Sequence, residues 1–203
     1  MSSAAQGTFR TILARADLLC SNAAQIRTKA GFPTKVVLLH AALANQVAAW
    51  DVYVKALSLE YFSVTAGPAD IRFSAIHDLL KAQLDIELKK FNTPNSDNCR
   101  SLLLKYTSFD PWPHWLNIKF GGTQISSALI VRNRLDEILK LRHSFAHGFA
   151  IPANSWNVDR SGAATLNCKI LGETRRFLVQ VCDKTDRGLA SHIAAQHGIG
   201  RPW

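Results

Sequence analysis

A long apolar segment between Pro33 and Phe62 restricts the fold of this chain more than any other feature of the sequence. The segment is rich in alanine and leucine, and its apolar residues fall on nearly every side of a helix, which is typical of a helix at the centre of a bundle. Its most hydrophobic part, from Val36 to Trp50, is interrupted by polar residues and is too short to cross a bilayer. The pattern therefore predicts a mainly α-helical protein built around one central helix.

Further helices are predicted wherever apolar residues recur at helical spacing between clear breaks. They are expected over residues 9–29, 69–91, 99–106 and 124–147. The polar segment 92–98 is expected to be a loop, because it is rich in asparagine and carries a proline.

Beyond residue 150 the helical spacing gives way to short alternating runs. Residues 164–170 and 176–181 alternate between apolar and polar side chains, and Gly172 lies between the two runs. Alternation around a turn residue predicts a small C-terminal β-hairpin. A short terminal helix is expected to follow over residues 189–197.

The composition indicates a folded protein with an anionic partner. Of the 203 residues, 47% are hydrophobic and 19% are charged, and the formal net charge is +9. The hydrophobic share is that of a chain with a buried core. The positive charge favours nucleic acid, ahead of a membrane surface, as the partner.

The cysteine spacing and the first residues bear on the compartment. The four cysteines lie far apart and form no Cys-x-x-Cys pair, which favours reduced thiols over a disulfide framework or a zinc ribbon. The first residues lack the charged and then apolar pattern of a signal peptide. We therefore expect a soluble, cytoplasmic protein.

The segment Leu-Arg-His-Ser-Phe-Ala-His-Gly at residues 141–148 carries the chemistry of the sequence. A permanent cation, Arg142, precedes His147, a residue type that titrates near neutrality, and this pair is suited to phosphodiester cleavage. The simpler interpretation is that arginine and histidine favour the last turn of any helix, where they face its negative end. Residues five apart also differ by about 140° around a helix, so the two side chains do not share a face.

Two other chemistries use the same segment. His143 and His147 are four residues apart and share a face, but a zinc site would need a further ligand such as the isolated His114 or a cysteine. Ser144 with His147 would form a nucleophile and base pair, but the sequence indicates no acid to orient the histidine.

The same residues resemble the motif of the HEPN domain, written R-x(4–6)-H. Arg142 and His147 have this spacing, Ala146 is the small residue before the histidine, and Gly148 follows it at the end of a long helix. This form is most similar to the RiboL-PSP-type HEPN group. His143 fits the polar residue that commonly follows the arginine in HEPN proteins.

A second match lies in the central helix. HEPN proteins often carry an acidic residue in a small, aromatic-rich helix upstream of the motif, sometimes with lysine four residues later, and Asp51 with Lys55 resembles this pair. The alternative is an ordinary solvated ion pair between residues one helical turn apart. We expect residues 1–150 to form the HEPN-like domain, with 151–203 as a C-terminal extension packed on it.

The resemblance implies an activity and a partner. Active HEPN proteins are metal-independent endoribonucleases without a cofactor, and they commonly dimerise so that two motifs meet across one interface. By this resemblance Arg142 would hold the scissile phosphate of RNA, and His147 would act as general acid or base. His143 would supply the second proton transfer or contact phosphate. The family also implies a toxin–antitoxin or phage-defence setting with an antitoxin or partner protein.

Two other functions remain alternatives. One is a catalytically inactive HEPN module that binds RNA or nucleotide, or dimerises beside a partner protein. The other is a basic nucleic-acid-binding adaptor of an unrelated helical fold.

Four residues outside the motif are candidates for binding RNA: Trp112, Trp115, Arg132 and Arg134. The tryptophans could stack on unpaired bases, although tryptophans between prolines more often anchor a loop. The arginines could contact the RNA backbone, although a solvated surface position is the more ordinary interpretation.

Overall fold

The computed structural model describes residues 2–67 and 71–203. Within these ranges the chain forms a helical bundle with one small antiparallel sheet, so the prediction of a mainly α protein is confirmed. The helices are α1 (Ala4–Gln25), α2 (Phe32–Val64), α3 (Ile71–Lys90), α4 (Ser96–Thr107), α5 (Ala128–Ala146) and α6 (Cys168–His197). The strands are β1 (Ile118–Phe120) and β2 (Thr123–Ile125), preceded by a 3-10 turn at Trp112–His114.

Helix α2 is the central helix that its apolar surface predicts. It packs against α1, α3, α4, α5 and α6, so nearly every side of it meets another element. Its two largest buried side chains also carry polar atoms, and both are satisfied. The Trp50 indole N–H donates to the Pro94 carbonyl at 2.9 Å, and the Tyr53 hydroxyl donates to the Cys182 carbonyl at 3.1 Å.

The predicted C-terminal β-hairpin is wrong, because the second alternating run and the last three residues of the first fall within the single long helix α6. The Asn167 side chain caps this helix by accepting from the Ile170 backbone N–H. Buried residues then recur every three or four positions from Ile170 to Ile193, which is the period of a helix and not of a strand. The short terminal helix predicted over 189–197 is the last part of the same element.

A β-hairpin does occur, but earlier in the chain, at β1 and β2. Ile118 pairs with Ile125, and Phe120 with Thr123, around Gly121 and Gly122, which both have positive φ. Two residues with positive φ form the turn that matches the twist of a hairpin. The Gln180 side chain of α6 holds β1 in place, since it bonds to both the N–H and the carbonyl of Lys119.

The starts of α4 and α5 also differ from the prediction, for local reasons, and α1 begins and ends about four residues earlier than predicted. Helix α4 begins at Ser96, inside the predicted loop, because the Asn95 side chain accepts from the Asn98 N–H and starts the helix early. Helix α5 begins four residues later than predicted, because β2 occupies the preceding positions. The predicted start of the third helix at residue 69 lies outside the described residues.

Across the part of the chain that the structure describes, we find no helix with the length and hydrophobicity needed to span a membrane.

Candidate active site

The candidate active site lies where α5 ends. His147 is the residue that closes the helix, and its N–H bonds to the His143 carbonyl at 3.2 Å. Gly148 follows in the left-handed conformation, and the Phe149 N–H then bonds back to the Ser144 carbonyl at 2.9 Å. This closure uses the last carbonyls of the helix and turns the chain sharply, so the motif lies on a defined helix end.

The side chains of Arg142, His143 and His147 are all exposed to solvent. The two imidazole rings lie side by side, with their centroids 4.2 Å apart, as expected of residues one helical turn apart. Among the described residues, no carboxylate forms an ion pair with Arg142. A cation and two imidazoles are therefore free to meet a ligand at this helix end.

A cleft of about 170 Å³ lies beside the motif. It brings together α2, α5 and the loop between α3 and α4, and its polar lining includes Asp51, Arg142 and His143. The acidic residue of the second sequence match is thus placed next to the motif arginine. His147 and Lys55 do not line this cleft.

Asp51 is only partly satisfied within the cleft. Its Oδ2 accepts from the Lys55 ammonium at 2.7 Å, whereas its Oδ1 is buried and has no hydrogen-bond partner. The expected i,i+4 pair is therefore present and half-buried. One carboxylate oxygen is left with capacity for a further donor.

The end of α5 is fixed on α2 by an aromatic contact that the sequence did not indicate. The His40 imidazole stacks on the Phe145 ring with centroids 3.6 Å apart and planes 18° from parallel. Burial lowers the pKa of His40, so the neutral ring is favoured in this contact. His40 is a residue that could be found only from the packing of the two helices.

The two alternative chemistries gain no support from the geometry. Ser144 is buried, and its hydroxyl donates to the Leu141 carbonyl at 2.8 Å, so it is not presented as a nucleophile. No cluster of three or more histidine, cysteine, aspartate or glutamate side chains suited to a metal occurs within residues 2–67 and 71–203. The described residues therefore offer His143 and His147 no further ligands of the kind that a zinc site requires.

The four predicted RNA-binding residues do not form one exposed surface in the structure. Trp115 is fully buried and donates its indole N–H to Thr185, so its ring cannot stack on a base and the anchor interpretation fits it. The Arg132 guanidinium carbon lies 3.2 Å from the centroid of the half-buried Trp112 ring, and Arg100 lies over the same ring at 4.1 Å. That ring is therefore engaged by arginines within the molecule.

Arg134 does not lie on an open surface either. Only 14% of its side chain is exposed, and its guanidinium lies over the Phe120 ring at 4.4 Å. It lines a separate cavity and does not line the cleft at Asp51.

The bundle and the exposed arginine–histidine motif at the end of α5 define a HEPN-type protein, a class of nucleases and RNA-binding modules. The RiboL-PSP-HEPN family matches residues 11–191, and the chain belongs to this family. The match extends through most of α6, beyond residue 150 where the sequence resemblance ended. No match was found among curated proteins or among solved structures.

Proposed function

We propose that this protein is a metal-independent endoribonuclease whose reacting groups lie at the end of α5. The observation that carries the proposal is the joint exposure of Arg142, His143 and His147, together with the lack of an ion pair between Arg142 and any described carboxylate. Family membership supports the same chemistry.

The proposed reaction is an attack of the ribose 2′-hydroxyl on the adjacent phosphorus. His147 accepts the 2′-hydroxyl proton while the O2′–P bond forms, and the P–O5′ bond breaks as the leaving oxygen takes a proton from His143, or the two histidines exchange roles. Arg142 binds the nonbridging oxygens and stabilises the charge that develops on them. The products are a 2′,3′-cyclic phosphate and a 5′-hydroxyl, and DNA is inert because it lacks the nucleophile.

The proposed biological setting is a toxin–antitoxin or phage-defence system, in which the enzyme acts in the cytoplasm as a homodimer and a partner protein restrains or activates it. This part of the proposal rests on the family alone.

The test is a cleavage assay on total RNA in the presence of EDTA. We expect wild type to cut RNA to cyclic-phosphate ends, and Arg142→Ala and His147→Ala each to lower the rate by about a hundredfold or more. Lys140→Ala is the matched control, because Lys140 is exposed on the same helix and its loss removes one positive charge outside the motif. Circular dichroism would establish that each variant is folded.

Two results would contradict the proposal. Absence of cleavage by folded wild type, with RNA binding retained, would indicate the catalytically inactive RNA-binding module. Equal cleavage by wild type and both motif variants would place the activity elsewhere or in a contaminant.

A further inference from the structure

A second, larger cavity lies away from the cleft at the candidate active site. It has a volume of about 740 Å³ and is lined by residues of the β1–β2 hairpin, α5, the segment 155–167 and the first turns of α6. None of its lining residues lines the cleft at Asp51. Its size falls within the range of small-molecule sites in proteins.

The feature of this cavity that requires an explanation is Arg134. Its Nε and Nη1 atoms are buried and have no hydrogen-bond partner. Arg134 forms an ion pair with Glu137, whose Oε2 lies 3.4 Å from Nε, but the pair lacks the geometry of a hydrogen bond and this oxygen already accepts from the Trp156 indole at 2.8 Å. A guanidinium has five donors and remains charged at any physiological pH, so burial without acceptors is costly.

The surroundings keep Arg134 in place without satisfying it. Its guanidinium lies over the Phe120 and Trp156 rings, at 4.4 Å and 5.2 Å from their centroids. Cation–π contacts of this kind orient the group, but they supply none of the oxygen acceptors that its planar N–H edges are shaped to meet.

We propose that this cavity binds a small organic anion through a carboxylate or phosphate group held by Arg134. Both groups present paired oxygens that match the guanidinium fork. The remainder of the ligand lies against the apolar part of the lining, which includes Phe120, Ile125, Ile130, Trp156 and Ile170.

The other charges around the cavity are compatible with an anion. Its two carboxylates are already engaged: Glu173 pairs with Arg176 and accepts from the Gly121 N–H, and Asp159 accepts from three donors in its own turn. Lys169 lines the cavity and forms no ion pair with another described residue. It also lies in the first turn of α6, where the helix dipole favours an anion.

The test measures binding directly and does not depend on ribonuclease activity. Full-length protein is titrated by calorimetry with inorganic phosphate, adenosine 5′-monophosphate, adenosine and succinate at up to millimolar concentration. We expect saturable binding of at least one anion, and weaker or no binding of uncharged adenosine. If phosphate and the nucleotide bind but succinate does not, the ligand carries a phosphate group. If only succinate binds, the ligand carries a carboxylate.

Variants then assign the binding to this cavity. Arg134→Gln is expected to weaken binding by about tenfold or more, whereas Lys140→Gln, an exposed lysine on the same helix, leaves it unchanged. Ile130→Trp provides a second route, since Ile130 lines the cavity and is half exposed, so a larger side chain blocks the space and leaves Arg134 intact.

The proposal would be overturned by no saturable binding of any of the three anions to folded wild type. It would also be overturned by anion binding that survives in both Arg134→Gln and Ile130→Trp, or by adenosine binding as tightly as its monophosphate. Loss of binding in Ile130→Trp alone would still support the site if Arg134→Gln failed to fold.

Discussion

Asp51 has two interpretations: it contributes to the active site, or it only forms an ordinary ion pair with Lys55. A substitution at this position distinguishes them. We expect Asp51→Asn to lower the RNA cleavage rate by about tenfold, equivalent to about 1.4 kcal/mol at the transition state. The physical reason is that Asp51 lines the cleft with Arg142 and His143, and its buried Oδ1 has no hydrogen-bond partner. Removal of its charge would alter how those groups are held. Single-turnover cleavage rates are the measurement.

The control for this prediction is Asp51→Glu, which keeps the charge and the i,i+4 pairing with Lys55. It is expected to retain most of the activity. If Asp51→Asn cleaves RNA as fast as wild type and has the same melting temperature, the prediction is contradicted. Asp51 and Lys55 would then form only the ordinary solvated ion pair that the sequence analysis gives as the alternative.

For individual residues, the sequence was sufficient to predict the motif but not the residues that surround it in the fold. Arg142 and His147 could be found because their spacing is local, and Asp51 because the family resemblance pointed to it. The stacking of His40 on Phe145 and the approach of Asn92 to the motif depend on how α2, α5 and a loop pack. No periodicity in the sequence reports such contacts.

Helix α6 is the element for which the sequence-based prediction was most clearly wrong. Substitutions at two of its glycines test whether the segment is a helix. Gly172, the expected hairpin turn, lies within the helix, and a Cβ there would meet no atom within 4 Å. Gly172→Ala is therefore expected to raise the free energy of unfolding by about 0.5–1 kcal/mol, because alanine loses less backbone entropy in a helix. Urea denaturation is the measurement, and clear destabilisation would contradict the helix.

Gly188 gives the opposite prediction in the same helix. A Cβ there would lie 2.7 Å from the His114 ring and 2.8 Å from the buried Phe109 ring. Gly188→Ala is expected to lower the free energy of unfolding by about 1–3 kcal/mol, because the overlap outweighs the gain in helix propensity. An unchanged or higher stability would mean that α6 does not pack closely on the 109–114 segment.

A β-hairpin was predicted in place of α6 because the pattern was judged over too few residues. Over the six residues 176–181, apolar side chains occupy alternate positions 177, 179 and 181, as in a strand. The buried residues, however, are Phe177, Leu178, Val181 and Cys182, which form a helical stripe. The stripe is visible only over the whole of 168–197, together with the cap at Asn167. The true hairpin escaped notice for a related reason, since each of its strands has only three residues.

At the scale of the whole molecule, we propose that each active site combines groups from two copies of the chain. Arg142 lies on α5 and His147 closes it, so the two side chains leave the helix end in different directions. A symmetric dimer with the two helix ends facing each other would place the arginine of one copy beside the histidine of the other. The exposure of both residues in the single chain is compatible with this arrangement.

Complementation between two inactive variants tests the composite site. Arg142→Ala and His147→Ala are co-expressed with different affinity tags, and the heterodimer is isolated through both tags. One of its two sites then combines an intact arginine with an intact histidine, so the heterodimer should show about half the activity of the wild-type dimer. Each homodimeric variant should remain inactive under the same conditions. An inactive heterodimer would mean that the arginine and histidine of each site come from the same copy. If the two tagged chains fail to co-purify, the proposed dimer is contradicted.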